Sequence, residues 1–184
     1  MDDSIAKATN RPQSRKRLLG AGAVIAALAL VFSAWAALWQ GEYLVLYNIK
    51  QDKVAYVAPL GQNEEFSVSY THSVNKSNVD EAYQLRGQDI YLVRLTYSAF
   101  GAGMTTQYDA EGGKSFYLDD QGRMVIAGYD TRVTDMVYNI AVIADHILHI
   151  KGQEIHLNTI GRPKDALRFQ IRSLTPLEAW RLRH

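Results

Sequence analysis

The sequence predicts an all-β domain, a sandwich or a barrel-like fold, with one membrane-spanning helix before it and a short helix after it. Three patterns carry this prediction: an uncharged run near the N-terminus, many short alternating segments, and a helix start near the C-terminus. Alternation of apolar and polar residues over about four to eight positions is typical of half-buried strands. We therefore divide the chain into a basic tail (1–17), an anchor (18–39) and a β-rich domain (42–184).

The anchor prediction rests on Leu18 to Trp39, a run without a charged residue. A run of this length crosses a hydrocarbon core of roughly 30 Å at about 1.5 Å per residue. Three basic residues (15–17) precede it, and none follows until Lys50. The positive-inside rule then puts the N-terminus in the cytoplasm of a bacterial inner membrane protein and the domain outside. The alternative is a signal peptide cleaved near Ala34-Trp35-Ala36, and in both cases the domain is exported.

Composition argues against a nucleic-acid-binding protein and excludes a domain stabilised by disulfides. The first 17 residues hold five basic and two acidic residues, which leaves 15 basic and 17 acidic residues after them. A domain with this slight negative charge and no basic stripe is not expected to bind nucleic acid. The chain has no cysteine, so the exported domain contains no disulfide and depends on its core for stability.

The domain is read as a series of short strands joined by turns. Runs of alternating or β-branched residues predict strands at 43–49, 54–58, 66–72, 79–85, 90–100, 115–118, 123–127, 145–150, 154–157 and 166–172. Residues 133–144 fit either a strand or a helical stripe, and their β-branched content favours a strand. Thr175, Pro176 and Glu178 form a helix start with a capping box, so a short amphipathic helix should run through Leu182.

The stretch from Phe66 to Leu85 predicts a hairpin with charged groups on its buried face. Each arm of the hairpin has one apolar face, formed by Phe66, Val68, Tyr70 and His72 on the first arm and by Val79, Glu81, Tyr83 and Leu85 on the second. Both faces lie on one side of the sheet only if the numbers of paired residues sum to an odd value. A sum of 153 pairs His72 with Glu81, and a sum of 151 pairs Tyr70 with Glu81.

Contact between His72 and Glu81 has two interpretations. A carboxylate favours the charged imidazole and fixes one tautomer, so the pair could bind an anionic group or orient a base. It could equally be a buried polar pair that satisfies only itself. The Gly101-Ala102-Gly103 turn also has two interpretations. Its backbone N–H groups could bind an anion, or its glycines could only allow close packing at the end of a strand.

The sequence does not predict an enzyme, a metal site or a cofactor. His146 and His149 point to opposite faces of a strand, so Asp145, His146, His149 and His156 are not expected to share a metal ion. Ser73 points away from the face of His72, and no G-x-S-x-G motif is present. A hydrolase is therefore disfavoured.

Several short motifs resemble one exported family in both order and spacing. They are Thr71-His72-Ser73-Val74, the following Glu81, Ser98-Ala99-Phe100-Gly101-Ala102-Gly103-Met104, Asp145-His146-x-Leu148 and Gly152-x-x-Ile155-x-Leu157. The chain resembles the small membrane-anchored family of unknown function that accompanies TAXI-type TRAP transporters, which take up organic acids.

The resemblance implies an auxiliary subunit that docks on the TRAP permease or on its substrate-binding protein. As hypothetical ligand or partner contacts we select the motif residues His72, Ser73, Glu81, Gly101, Gly103 and His146. The alternative is an extracytoplasmic module that binds or senses small carboxylates.

Overall fold

The computed structural model describes residues 13–72, 76–98, 113–141 and 144–183. Over these residues the strands are β1 (Gly41–Asn48), β2 (Lys53–Pro59), β3 (Glu65–Thr71), β4 (Asn78–Arg86), β5 (Asp89–Tyr97), β6 (Ser115–Leu118), β7 (Met124–Val133), β8 (Met136–Asn139), β9 (Ile147–Ile150), β10 (Gln153–His156) and β11 (Ala166–Leu174). The helices are α1 (Gln13–Leu38), α2 (Leu157–Ile160) and α3 (Pro176–Arg183).

Helix α1 belongs to a first compact unit, Met1–Trp39, which is separate from the β domain of Gln40–His184. Large apolar side chains on α1 are more than half exposed, namely Val24, Ile25, Leu28, Leu30, Val31, Phe32 and Trp35. Within the described part of the chain, no helix is long and apolar enough to cross a membrane. The membrane anchor therefore stays a prediction.

Over its described residues the β domain is built from two antiparallel sheets, which confirms the prediction of a mostly β fold. The smaller sheet has the strand order β2-β1-β11-β8, and the larger has the order β10-β9-β3-β4-β5-β7-β6. Phe66 of the larger sheet stacks on Tyr83 with ring centroids 5.5 Å apart, and on Phe169 of the smaller sheet at 6.2 Å. These aromatic contacts join the two sheets across one core, as in a β-sandwich.

The smaller sheet joins the two ends of the domain. Strand β1 pairs along its whole length with β11, from Gly41 opposite Leu174 to Asn48 opposite Leu167. At the end of this ladder the buried Asn48 donates from Nδ2 to Asp165 Oδ2 at 2.8 Å. This bond, with the Arg162 N–H at 2.9 Å, lowers the pKa of Asp165 to about 2. Asp165 therefore stays ionised at neutral pH and holds the start of β11 against the end of β1.

The second half of the domain follows the predicted elements, except that β7 runs on to Val133 and that Leu157 begins a helix. Residues 136–139 form β8, so the strand prediction for 133–144 is confirmed there, while residues 142–143 lie outside the described chain. Leu157 was predicted to end a strand, but it begins α2 and is fully buried. The capping box of α3 is confirmed, because the Thr175 hydroxyl donates to Glu178 Oε2 at 2.9 Å and accepts the Glu178 N–H at 3.3 Å.

Candidate functional site

The β3–β4 hairpin sets the position of Glu81, the charged residue on its buried face. Val68 lies opposite Glu81 and Tyr70 lies opposite Val79, so paired residues sum to 149. The odd sum confirms the prediction that both apolar faces lie on one side. The two specific registers, with sums of 153 and 151, are wrong. The cause is a shorter loop, since the His72 N–H donates to the Ser77 carbonyl at 2.8 Å and closes the turn there.

Three tyrosine hydroxyls donate to the Glu81 carboxylate from both sheets. Tyr70 of β3 donates to Oε1 at 3.1 Å, and Tyr83 of β4 donates to Oε2 at 2.8 Å. Tyr138 of β8 also donates to Oε2, and its hydroxyl oxygen lies 2.9 Å from that of Tyr83. Because β8 belongs to the smaller sheet, Glu81 links the two layers of the sandwich through hydrogen bonds.

The His146 imidazole completes this group from the residues just before β9. Its ring centroid lies 5.3 Å from that of Tyr70 and 5.5 Å from that of Tyr138. Its Nδ1 atom is buried and has no hydrogen-bond partner among the described residues. We call Tyr70, Glu81, Tyr83, Tyr138 and His146 the acid–tyrosine cluster.

Burial controls the protonation states in the acid–tyrosine cluster. It raises the pKa values of Tyr70, Tyr83 and Tyr138 well above the ordinary tyrosine range, and the nearby Glu81 charge raises them further. Burial also lowers the pKa of His146, and the charges of Glu81 and Asp145 offset this only in part. At neutral pH the tyrosines are therefore neutral donors and the imidazole is neutral.

We expect the His146 imidazole to titrate below about 6.5, the ordinary histidine value. Between the lowered pKa of the folded state and about 6.5, the unfolded chain binds more protons than the folded chain. The free energy of unfolding should therefore have its full value above about pH 6.5 and should decrease as the pH falls through this window. His146→Phe removes the titrating ring and should flatten this dependence. Imidazole proton shifts measured by NMR give the pKa directly, and a value at or above the ordinary one contradicts the prediction.

The structure brings only some of the predicted site residues together. The structure brings Glu81 and His146 together, while His72 lies at the loop that closes the hairpin, with its carbonyl accepting the Lys76 N–H at 3.0 Å. The predicted pairing of His72 with Glu81 in the ladder is therefore wrong. Ser73, Gly101 and Gly103 lie outside the described residues. Sequence reasoning missed the tyrosines as a group, although Tyr70 and Tyr83 share the buried faces that it identified.

The comparison with protein families locates this cluster within a known sequence family. The family profile described as a domain of unknown function (DUF1850) matches residues 66–157, which is half of the chain. The chain belongs to this family. The matched segment includes every residue of the acid–tyrosine cluster, and it excludes β1, β2, β11 and α3. Neither the curated proteins nor the solved structures gave a significant match.

A second polar group of this DUF1850 protein lies on the opposite face of the larger sheet. The Ser69 hydroxyl lies 2.7 Å from His149 Nε2, and His149 Nδ1 lies 3.6 Å from Glu154 Oε1. This order resembles a catalytic triad, but catalysis would also need free N–H donors for an oxyanion. Strand β3 is paired with β4 on one side and β9 on the other, so the N–H groups around Ser69 are used in the ladders. We interpret this group as polar packing between strands.

The described histidines do not form a shared metal site. His146 lies in the acid–tyrosine cluster, whereas His149 lies on the other face of the sheet. His156 contacts the Asp145 carboxylate at 3.1 Å. Among the described residues no group of three histidine, aspartate or glutamate side chains is arranged to hold a metal ion.

Proposed function

We propose that this protein is a non-enzymatic, membrane-anchored auxiliary subunit of a TAXI-type TRAP organic-acid uptake system. Its β domain docks on the permease or on the substrate-binding protein. The resemblance of the motifs supports the transporter context. The observation that favours docking over ligand binding is that Glu81 accepts hydrogen bonds from Tyr70, Tyr83 and Tyr138. The donors that could hold an organic acid are already used by a carboxylate of the chain itself.

The anchor is part of the same proposal. Apolar side chains such as Val24, Ile25 and Phe32 are each exposed by more than half on α1. Exposure of many large apolar groups on one helix is unfavourable in water and favourable in a lipid bilayer. With the basic residues at 15–17, this supports an N-terminus in the cytoplasm and a β domain on the outer side of the inner membrane.

A second candidate function is the binding or sensing of a small carboxylate. The observation in its favour is His146 Nδ1, a buried polar atom without a partner in the described part of the chain. Buried polar atoms are paired in most folded proteins, so an unpaired one can mark a place that a ligand completes. The Glu81 carboxylate stands against this function, because it lies beside the same ring and repels an anion.

Co-purification and uptake together test the auxiliary role. The tagged full-length chain is expressed with the permease and the binding protein and is then extracted in detergent. We expect the permease to co-purify, and we expect deletion of this chain to reduce organic-acid uptake as deletion of the binding protein does. A chain that purifies alone from a strain with unchanged uptake refutes the proposal.

Calorimetry of the same detergent-solubilised chain with succinate tests the second candidate function, the binding of a small carboxylate, which predicts heat of binding.

A further inference from the structure

A groove of about 570 Å³ runs along the free edge of β2. Within the described chain, β2 pairs with β1 on one edge only. The β9–β10 turn, with Ile150 and Gln153, forms one wall of the groove, and the end of α3, with Leu182, forms the other. An unpaired strand edge between two walls has the shape that accepts an additional strand.

The backbone of β2 presents hydrogen-bonding groups to this groove. The Val57 carbonyl accepts a hydrogen bond from Arg183 Nε at 3.2 Å, so it points away from β1. Because the N–H and C=O of one strand residue point to the same edge, the Val57 N–H also faces the groove. Pro59, two residues further on, has no N–H and ends this edge. One central residue of β2 therefore offers both a donor and an acceptor.

The charges around the groove select the kind of occupant. Among the described residues, its lining contains the basic residues Lys151 and Arg183 and no acidic residue. Lys151 is exposed and paired with Glu64 at 3.0 Å, and Arg183 Nε now occupies the position that the N–H of an added strand would take. An added strand would release Arg183 to pair with an acidic side chain. A second copy of this chain fits less well, because pairing of two β2 edges would bring the basic residues of both copies together.

We propose that the free edge of β2 captures an extended, acidic segment of a partner protein as an added strand of the smaller sheet. Backbone hydrogen bonds to Val57 would supply affinity, and Lys151 and Arg183 would select the acidic side chain. This inference names the docking surface for the auxiliary role proposed above and so rests on that role. The surface is distinct from the acid–tyrosine cluster.

Fluorescence anisotropy with a labelled peptide tests the surface on the detergent-solubilised full-length chain. The probe is the hexapeptide Thr-Val-Glu-Val-Thr-Val with blocked ends, and its partner probe has lysine in place of glutamate. We expect the glutamate peptide to bind about tenfold more tightly, and the double variant Lys151→Glu with Arg183→Glu to reverse the preference. Arg132→Glu changes a basic residue of β7, where it pairs with Asp89 at 2.8 Å, and should leave the preference unchanged.

Hydrogen exchange supplies the backbone measurement. Addition of the glutamate peptide should protect the Val57 amide from exchange. Equal affinity for the two peptides, no protection of that amide, or self-association that the double variant abolishes would each overturn the proposal. If the double variant still co-purifies with the permease, the β2 edge is not the docking surface, while the auxiliary role is upheld. Peptide binding without any co-purification upholds the surface and refutes the role.

Discussion

Glu81→Leu should lower the free energy of unfolding by about 2–4 kcal/mol. The substitution removes the acceptor shared by Tyr70, Tyr83 and Tyr138, and an unsatisfied buried hydroxyl costs about 1–3 kcal/mol. The total lies below three times that value because Tyr70 is only partly buried and can reach water, and because leucine adds apolar contacts. Urea denaturation followed by circular dichroism measures the change.

Two variants show whether the hydrogen bonds are the cause. Glu81→Gln keeps one acceptor oxygen, so it should cost only about 1–2 kcal/mol. Glu65→Gln makes the same chemical change at an exposed ion pair with Arg94 and should stay within about 0.5 kcal/mol of the unsubstituted chain. If Glu81→Leu unfolds at the same urea concentration as the unsubstituted chain, the cluster does not hold the two sheets together.

Leu148→Ala should lower the free energy of unfolding by about 3–4 kcal/mol. Leu148 is fully buried in β9, where it lies opposite Val68 of β3 on one side and Ile155 of β10 on the other. Truncation to alanine loses the transfer free energy of the removed atoms and leaves a cavity between the sheets; buried leucines cost about 2–5 kcal/mol in such substitutions.

Leu118→Ala is the matched control for this substitution. Leu118 lies in β6 and is 62% exposed, so the same truncation removes almost no buried contact and should change the free energy of unfolding by less than about 0.5 kcal/mol. Thermal unfolding of both variants gives the comparison. Equal losses at the two positions would show that β9 is not part of the core.

The four-residue motif Asp145-His146-x-Leu148 therefore has two roles. Leu148 enters the apolar core, while His146 lies against Tyr70 and Tyr138. The resemblance selected these residues, but it could not separate packing from function. The separation requires the position of β3, which is far from the motif in sequence, and that of β8, which lies in the other sheet.

Local patterns predicted much of the fold. Alternation in β3 and β4 identified the buried faces, and the chemistry of Thr175 and Glu178 identified the start of α3. The register could not be predicted, because the polar residues Ser77 and Asn78 resemble loop, whereas Ser77 is buried and Asn78 begins β4. The length of β7 was also missed. The predicted strand ends at residue 127, but in the structure β7 continues through Gly128, with a φ of +85°, to Val133.

The site was less predictable than the fold for a physical reason. The Glu81 carboxylate is satisfied by Tyr138, which lies in the other sheet and 57 residues further along the chain. The odd or even sum of paired residues in a hairpin shows which residues share a face. It does not show which side chains of the other sheet pack against that face. Pairing Glu81 with His72 followed from the parity of the hairpin and from a register that the structure does not have.

The pairing of β1 with β11 constrains the order in which the domain can form. Gly41 at the start of the domain lies opposite Leu174 near its end. A chain that leaves the ribosome or a translocation channel from its N-terminus must therefore keep β1 without this partner until β11 has emerged. Contacts so distant in sequence slow folding and lengthen the time for which an apolar strand can pair wrongly. A premature stop before residue 166 would leave β1 in that state permanently.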